Sequence, residues 1–123
     1  MSMLLSRIMS AGTAAYAVYA LVRPRHLGTA LSEERQRQES YDLVATIFGC
    51  RDLPISAVGM LGRSEHSVRA AMLVRIVLDL TDSAVLAERA ETPERSAKVR
   101  AVTVGWAALN TLAVIVDSRR TRR

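Results

Sequence analysis

The sequence predicts an all-α integral membrane bundle of about four transmembrane helices, and three observations predict it. Half of the 123 residues are apolar, yet only one Phe, one Trp and three Tyr occur. A water-soluble core of this size usually draws on more aromatic area, whereas Ala, Val, Leu, Ile and Met suit helices. The apolar residues also gather into four blocks near the length of a membrane span. Finally, three prolines and six glycines are few, and no alternating run is long enough for a strand. A single helical membrane domain over 1–123 is expected.

The first block, about 3–22, has the roughly 20 residues needed to cross about 30 Å of hydrocarbon. Its one charge, Arg7, stands near an end and can snorkel. It has no polar face, unlike an amphipathic surface helix. Arg23-Pro24-Arg25 is expected to stop it. A secretory signal peptide is the rival reading, with Ala15-Tyr16-Ala17 resembling a cleavage site; a retained span is the expectation.

Ser32, followed by Glu33 and Glu34, reads as an N-cap with acids in the first turn. The helix it opens should run into the second span, about 41–62. Ser64 is a cap for the third span, about 67–87. Thr92-Pro93-Glu94 combines a cap, a proline at the first helical position and an early acid. It should start the helix carrying the fourth span, about 99–117. The apolar part of that span, 101–116, covers only about 24 Å, so Arg100 and Asp117 should reach outward to the interfaces.

Charges inside the spans are the candidate site. At about 100° per residue, Arg75, Asp79 and Asp82 share about 60° of one helix face, with Val68, Met72 and Leu86 on the same stripe. Arg75 and Asp79 are spaced i, i+4, close enough to pair. Three central charges cost on the order of 9 kcal/mol to insert, against about 3 to 5 kcal/mol returned by the block's Leu, Ile and Val. The third helix therefore needs a partner. The second supplies Arg51 and Asp52, with Arg51 expected to reach Asp79 or Asp82. Pro54 should free the carbonyl of Cys50 as a further arginine acceptor. Ala45, Gly49, Asp52, Ser56 and Gly59 form a seam of small residues that lets helices approach closely.

Arg51, Asp52, Arg75, Asp79 and Asp82 are read as a buried salt-bridge network that holds helices together; an ion or proton path, or a polar headgroup site, is the rival. No catalytic, cofactor or metal site is expected. His26 and His66 have no second ligand at metal spacing, and Cys50 has no histidine to activate it. Trp106 is read as a packing or partner-contact residue. The net charge of +5 is carried almost wholly by arginine, without the basic face and stacking aromatics that nucleic acid would select. Arg119, Arg120, Arg122 and Arg123 are expected to contact anionic lipid.

Three stretches, RPRHLG after the first span, FGCRDLPISAVG in the second and RIVLDLTDSAVLA in the third, resemble uncharacterised small four-span actinobacterial membrane proteins with an Arg-Asp-Leu signature in the second span. The resemblance covers Arg23 to Ala87 and implies a fold, not an activity. Pro54-Ile55-Ser56 departs from the more glycine-rich continuation expected there.

The expected partners are the lipid bilayer and other membrane-protein subunits or further copies of the chain, in the cytoplasmic (inner) membrane. The leading functional expectation is an accessory subunit of a larger cell-envelope complex such as a transporter; the alternative is a self-assembling channel or carrier. A soluble or peripheral bundle is a third, disfavoured by the all-round apolar first block. Arginine and lysine are nearly balanced between the two ends of a four-span bundle, so the positive-inside rule selects no orientation.

Overall fold

The computed structural model describes residues 3–121, and every regular element among them is helical: α1 (Leu4–Val22), α2 (Arg25–Leu31), α3 (Arg35–Leu61), α4 (Glu65–Arg89) and α5 (Pro93–Thr121). The four long helices alternate in direction. They form a ring in which α1 packs on α3 and α5, and α4 packs on the same two. The short α2 crosses one end, against α3 and α5.

Three helices are long and apolar enough to cross a membrane: α1, α3 and α5. The fourth expected span, on α4, is not among them. Any stretch of α4 long enough to cross contains Arg75 together with Asp79 and Asp82, or still more charge. This agrees with the insertion arithmetic, which makes α4 a poor span alone.

The starts of α4 and α5 follow local chemistry, and that of α3 does not. Ser64 caps α4, its Oγ accepting the Ser67 N–H at 3.1 Å. Thr92 caps α5, its Oγ1 accepting the Arg95 N–H at 3.2 Å. Ser32 does not cap the helix that follows. It closes α2, a helix not anticipated from the sequence, and α3 begins only at Arg35. Pro24 ends α1 as expected, but its ring also suits a helix start, so the chain turns at once into α2 and buries Leu27 and Leu31.

That end of the bundle is clasped. The carbonyls left open at the C-terminus of α2 are taken by Arg95 Nη1, which donates to Thr29 O at 2.6 Å and Ala30 O at 3.3 Å, and by the Glu91 N–H, which donates to Leu31 O. The Glu91 carboxylate accepts from Ser32 Oγ at 2.7 Å and from the Glu33 N–H at 2.9 Å. The backbone bond from Glu33, then the Ser32 hydroxyl, hold Glu91 below the usual carboxylate range. A carboxylate lowered by folding stabilises at pH values above its unfolded range and loses that contribution as pH falls through its folded value. The thermal-stability advantage of the native chain over Glu91→Gln is therefore expected at neutral pH and should close on acidification; a gap constant from pH 7 to 3 would contradict it.

Polar and charged side chains share the interior with two apolar clusters, one around Val68 and Met72 and one around Leu27 and Leu31, while many large hydrophobics lie on the outside. Ser6, Ser10, Thr13, Asp52, Ser56, Arg75, Asp79, Ser83, Asn110 and Asp117 are buried. Leu4, Ile8, Val18, Leu43, Ile47, Leu73, Val77, Leu80, Leu109 and Ile115 are among the exposed large hydrophobics. In water such contiguous apolar surface marks a contact site; in a bilayer it is the solvent-facing surface.

Candidate functional site: an ionic cluster inside the bundle

The candidate site is assembled by three helices. From α3, Arg51 forks onto Asp82 of α4, donating from Nη1 at 3.2 Å and Nη2 at 2.7 Å. Its Nε donates to the adjacent Asp52 at 2.9 Å. The two-pronged geometry is the strong form of an arginine–carboxylate pair. From α4, Arg75 pairs with Asp52 through Nη1 and donates from Nη2 to Asp79 at 2.6 Å. Asp82 lies 3.8 Å from the same Nη2. All five sequence-predicted residues therefore meet, with two arginines interleaved between three aspartates.

Of the two acceptors expected for Arg51, the structure selects Asp82. The engaged donors of both arginines point at carboxylates, and none takes the Cys50 carbonyl that Pro54 was expected to supply. Pro54 is nonetheless inside α3 as predicted. The stripe Val68, Met72, Arg75, Asp79, Leu86 is buried along α4 as predicted.

The cluster extends to α5 through a residue that sequence reasoning passed over. Asn110 is fully buried and its Nδ2 donates to Asp79 at 3.5 Å. A lone amide in the apolar block 101–116 was the available signal, because an unpaired amide is costly in hydrocarbon.

The small-residue seam is buried as expected: Ala45, Gly49, Asp52, Ser56 and Gly59 form the inner face of α3. Its packing partner, however, is α1. A Cβ on Gly49 would meet Leu21 Cγ at 2.7 Å and the Ala17 carbonyl at 2.9 Å, and one on Gly59 would strike Ser10. The facing surface is Ser6, Ser10, Thr13, Ala17 and Ala20, the buried residues of α1. These repeat at the same alternating four- and three-residue spacing as the α3 seam, a match legible in the sequence but not drawn from it. Two small faces let the backbones approach, while Asp52, mid-seam, reaches past α1 to Arg75.

Asp117 corrects another expectation. Instead of reaching outward it is buried, and it accepts the Ser6 N–H at 2.6 Å and the Leu5 N–H at 3.3 Å. The start of α1 has no acid of its own and no side-chain cap. Its open N–H groups therefore need an acceptor, and a carboxylate on the last turns of α5 supplies one with favourable charge. Asp117→Ala should cost about 1–2 kcal/mol, the usual worth of such a cap. It should also speed hydrogen exchange at the Leu5 and Ser6 amides selectively; unchanged exchange there would refute the assignment.

Trp106 behaves as a packing residue, as expected. Its Nε1 donates to Thr13 Oγ1 at 3.0 Å, and its ring lies over Gly12. Cys50 is exposed on the outer face of α3 rather than packed inside. His26 is bound within its own end of the molecule: Nδ1 donates to the Arg23 carbonyl at 2.8 Å, which leaves Nε2 to accept from the Tyr16 hydroxyl at 2.7 Å. His66 is exposed in the first turn of α4. Among the described residues no cluster of His, Cys, Asp and Glu has metal-binding geometry. Arg119 and Arg120 are exposed on the last turn of α5; Arg122 and Arg123 lie outside the described residues.

The chemistry available is electrostatic. The cluster consists of paired guanidinium and carboxylate groups, and Arg75 and Asp79 are 4% and 8% exposed. The space beside Arg75, between Ser10, Thr13 and Ser56, is too small for a water molecule. No protein family, curated protein or solved structure matches the chain.

Proposed function

We propose that this protein is a four-span membrane bundle that serves as an accessory, stabilising subunit of a larger cell-envelope membrane complex such as a transporter. The observation that carries the reading is three helices of span length and apolarity, with Arg75, Asp52, Asp79 and Asn110 buried between the helices while many leucine, valine and isoleucine side chains are exposed. In this reading α4 is the fourth span. Its three central charges turn inward onto α3 and α5, while Leu73, Val74, Val77 and Leu80 face outward, so the helix crosses as part of the bundle rather than alone.

The role follows from what the interior is suited to do. A closed ionic cluster holds helices in one arrangement; a conduction path would need space for water or an ion beside it. The apolar exterior suits lipid and neighbouring transmembrane helices alike, and the exposed Arg119 and Arg120 suit an anionic headgroup layer.

The test is twofold. The protein should stay with membranes through alkaline carbonate extraction, and mild-detergent purification at native expression level should return it in a stoichiometric complex larger than the chain. Release by carbonate would overturn the membrane reading. Recovery solely as an isolated monomer would overturn the accessory role. Ion flux in liposomes that disappears in Asp79→Asn/Asp82→Asn would instead favour a conducting role.

A further inference from the structure

We propose that a cleft between α1, α2 and α5 binds one zwitterionic phospholipid whose head joins a phosphate to a primary ammonium group. The inference rests on the membrane reading above. The cleft encloses about 720 Å³, within the range of small-molecule sites. It exists because α1 and α5 touch at Ser6–Asp117 and Thr13–Trp106, after which α2 is set across the end of the bundle. Its depth is apolar, lined by Leu27, Leu86 and Val99. Tyr16 and Val102 stand on its rim and are exposed, so it opens sideways between α1 and α5, toward the acyl chains.

The polar mouth selects the headgroup. Four charged side chains line it: Glu33, Glu94, Arg95 and Lys98. Arg95 is spent on the α2 carbonyls and on Glu33, 3.3 Å away. His26, also at the mouth, has both ring nitrogens engaged. Glu94 and Lys98 remain. They lie i, i+4 on α5, a spacing at which such residues commonly pair, yet no ion pair joins them and both are exposed. One free acid and one free base, about 6 Å apart along the helix, match an ammonium and a phosphate joined by a two-carbon link. An anionic head would meet Lys98 but leave Glu94 opposed. A quaternary ammonium would offer Glu94 no N–H. The chain would then run from this mouth past Val102 and Tyr16, head at the interface and tail inward.

The full chain in mild detergent, titrated with phosphatidylethanolamine, phosphatidylcholine and phosphatidylglycerol of identical acyl chains, should retain one phosphatidylethanolamine by native mass spectrometry. Preference over the other two should be about tenfold, the ratio one charge-assisted hydrogen bond supplies. Glu94→Gln should reduce phosphatidylethanolamine to the phosphatidylcholine level, Lys98→Gln should weaken all three, and Val102→Trp should block retention by filling the cleft. Equal retention of the three lipids, preference for the anionic lipid, or binding indifferent to Glu94→Gln and Lys98→Gln would overturn the proposal. Carbonate fractionation separates the two readings. A chain that stays in the membrane but shows no headgroup preference refutes the cleft assignment alone; a chain released by carbonate refutes the membrane reading beneath it.

Discussion

Arg75→Met is expected to destabilise the bundle by about 3–5 kcal/mol, the cost of leaving a buried charge without its partner. Arg75 is 4% exposed and stands between Asp52 and Asp79. Asp52 keeps Arg51 when Arg75 is gone, but Asp79 is left with only the 3.5 Å bond from Asn110. The loss therefore falls mainly on one carboxylate. Arg75→Met/Asp79→Leu removes both members and should recover most of the stability, since a buried pair replaced by apolar groups of similar volume is often neutral or better. Denaturant titration in mixed micelles, followed by the fluorescence of Trp106, measures both variants. A loss below about 1 kcal/mol for Arg75→Met, the worth of a solvated pair, would mean that water reaches the cluster, and the closed-bundle reading would fail.

Gly49→Val should cost about 1–3 kcal/mol or more through overpacking, and should loosen α1 from α3 without touching the ionic cluster. One of the atoms in the way is the Ala17 carbonyl, 2.9 Å from where a Cβ would sit. A backbone atom cannot rotate aside, so the helices must separate. Gly105→Ala is the matched control. Nothing lies within 4 Å of its Cβ position, so the substitution should be neutral or stabilise the helix by up to about 1 kcal/mol. The contrast is read from the same unfolding curves, with an inter-helix cross-link between α1 and α3 as the second measurement. Equal effects of the two substitutions would remove the close α1–α3 approach from the account.

Much of the ionic site was legible because helical periodicity is a strong constraint. Arg75, Asp79 and Asp82 fall on one face at about 100° per residue, and burying that face requires a partner with opposite charge. Arg51 and Asp52 were the available partners at matching depth. Periodicity gives the face of a helix but not the identity of the helix opposite. The α3 seam was legible as a close-packing surface, yet its assignment to α1 depended on how the ring of helices closes. Of the four spans expected from the sequence, three helices have the length and apolarity to cross a membrane.

Residues outside strong periodic patterns were less legible. Asn110 is one polar residue in an apolar run, and Asp117 was placed at an interface because it ends such a run. Both are drawn inward by needs on other helices: an acceptor on Asp79, and open N–H groups at the start of α1. Ser32 carries a cap signature, but its hydroxyl donates to Glu91, 59 residues away, while α3 starts three residues later at Arg35.

The sequence by itself determined that the chain is helical, where most helices begin, and which faces of α3 and α4 turn inward, because capping, helical spacing and the cost of burying unpaired charge act over a few residues or on a single helix. Tertiary structure alone decided that α1 fills the α3 seam, that Arg51 takes Asp82, that Asp117 caps α1 and that α2 holds open a cleft beside free Glu94 and Lys98. Each of these pairs residues distant in the chain, so each depends on which helices become neighbours, and that choice is made by mutual shape and charge rather than by any one segment.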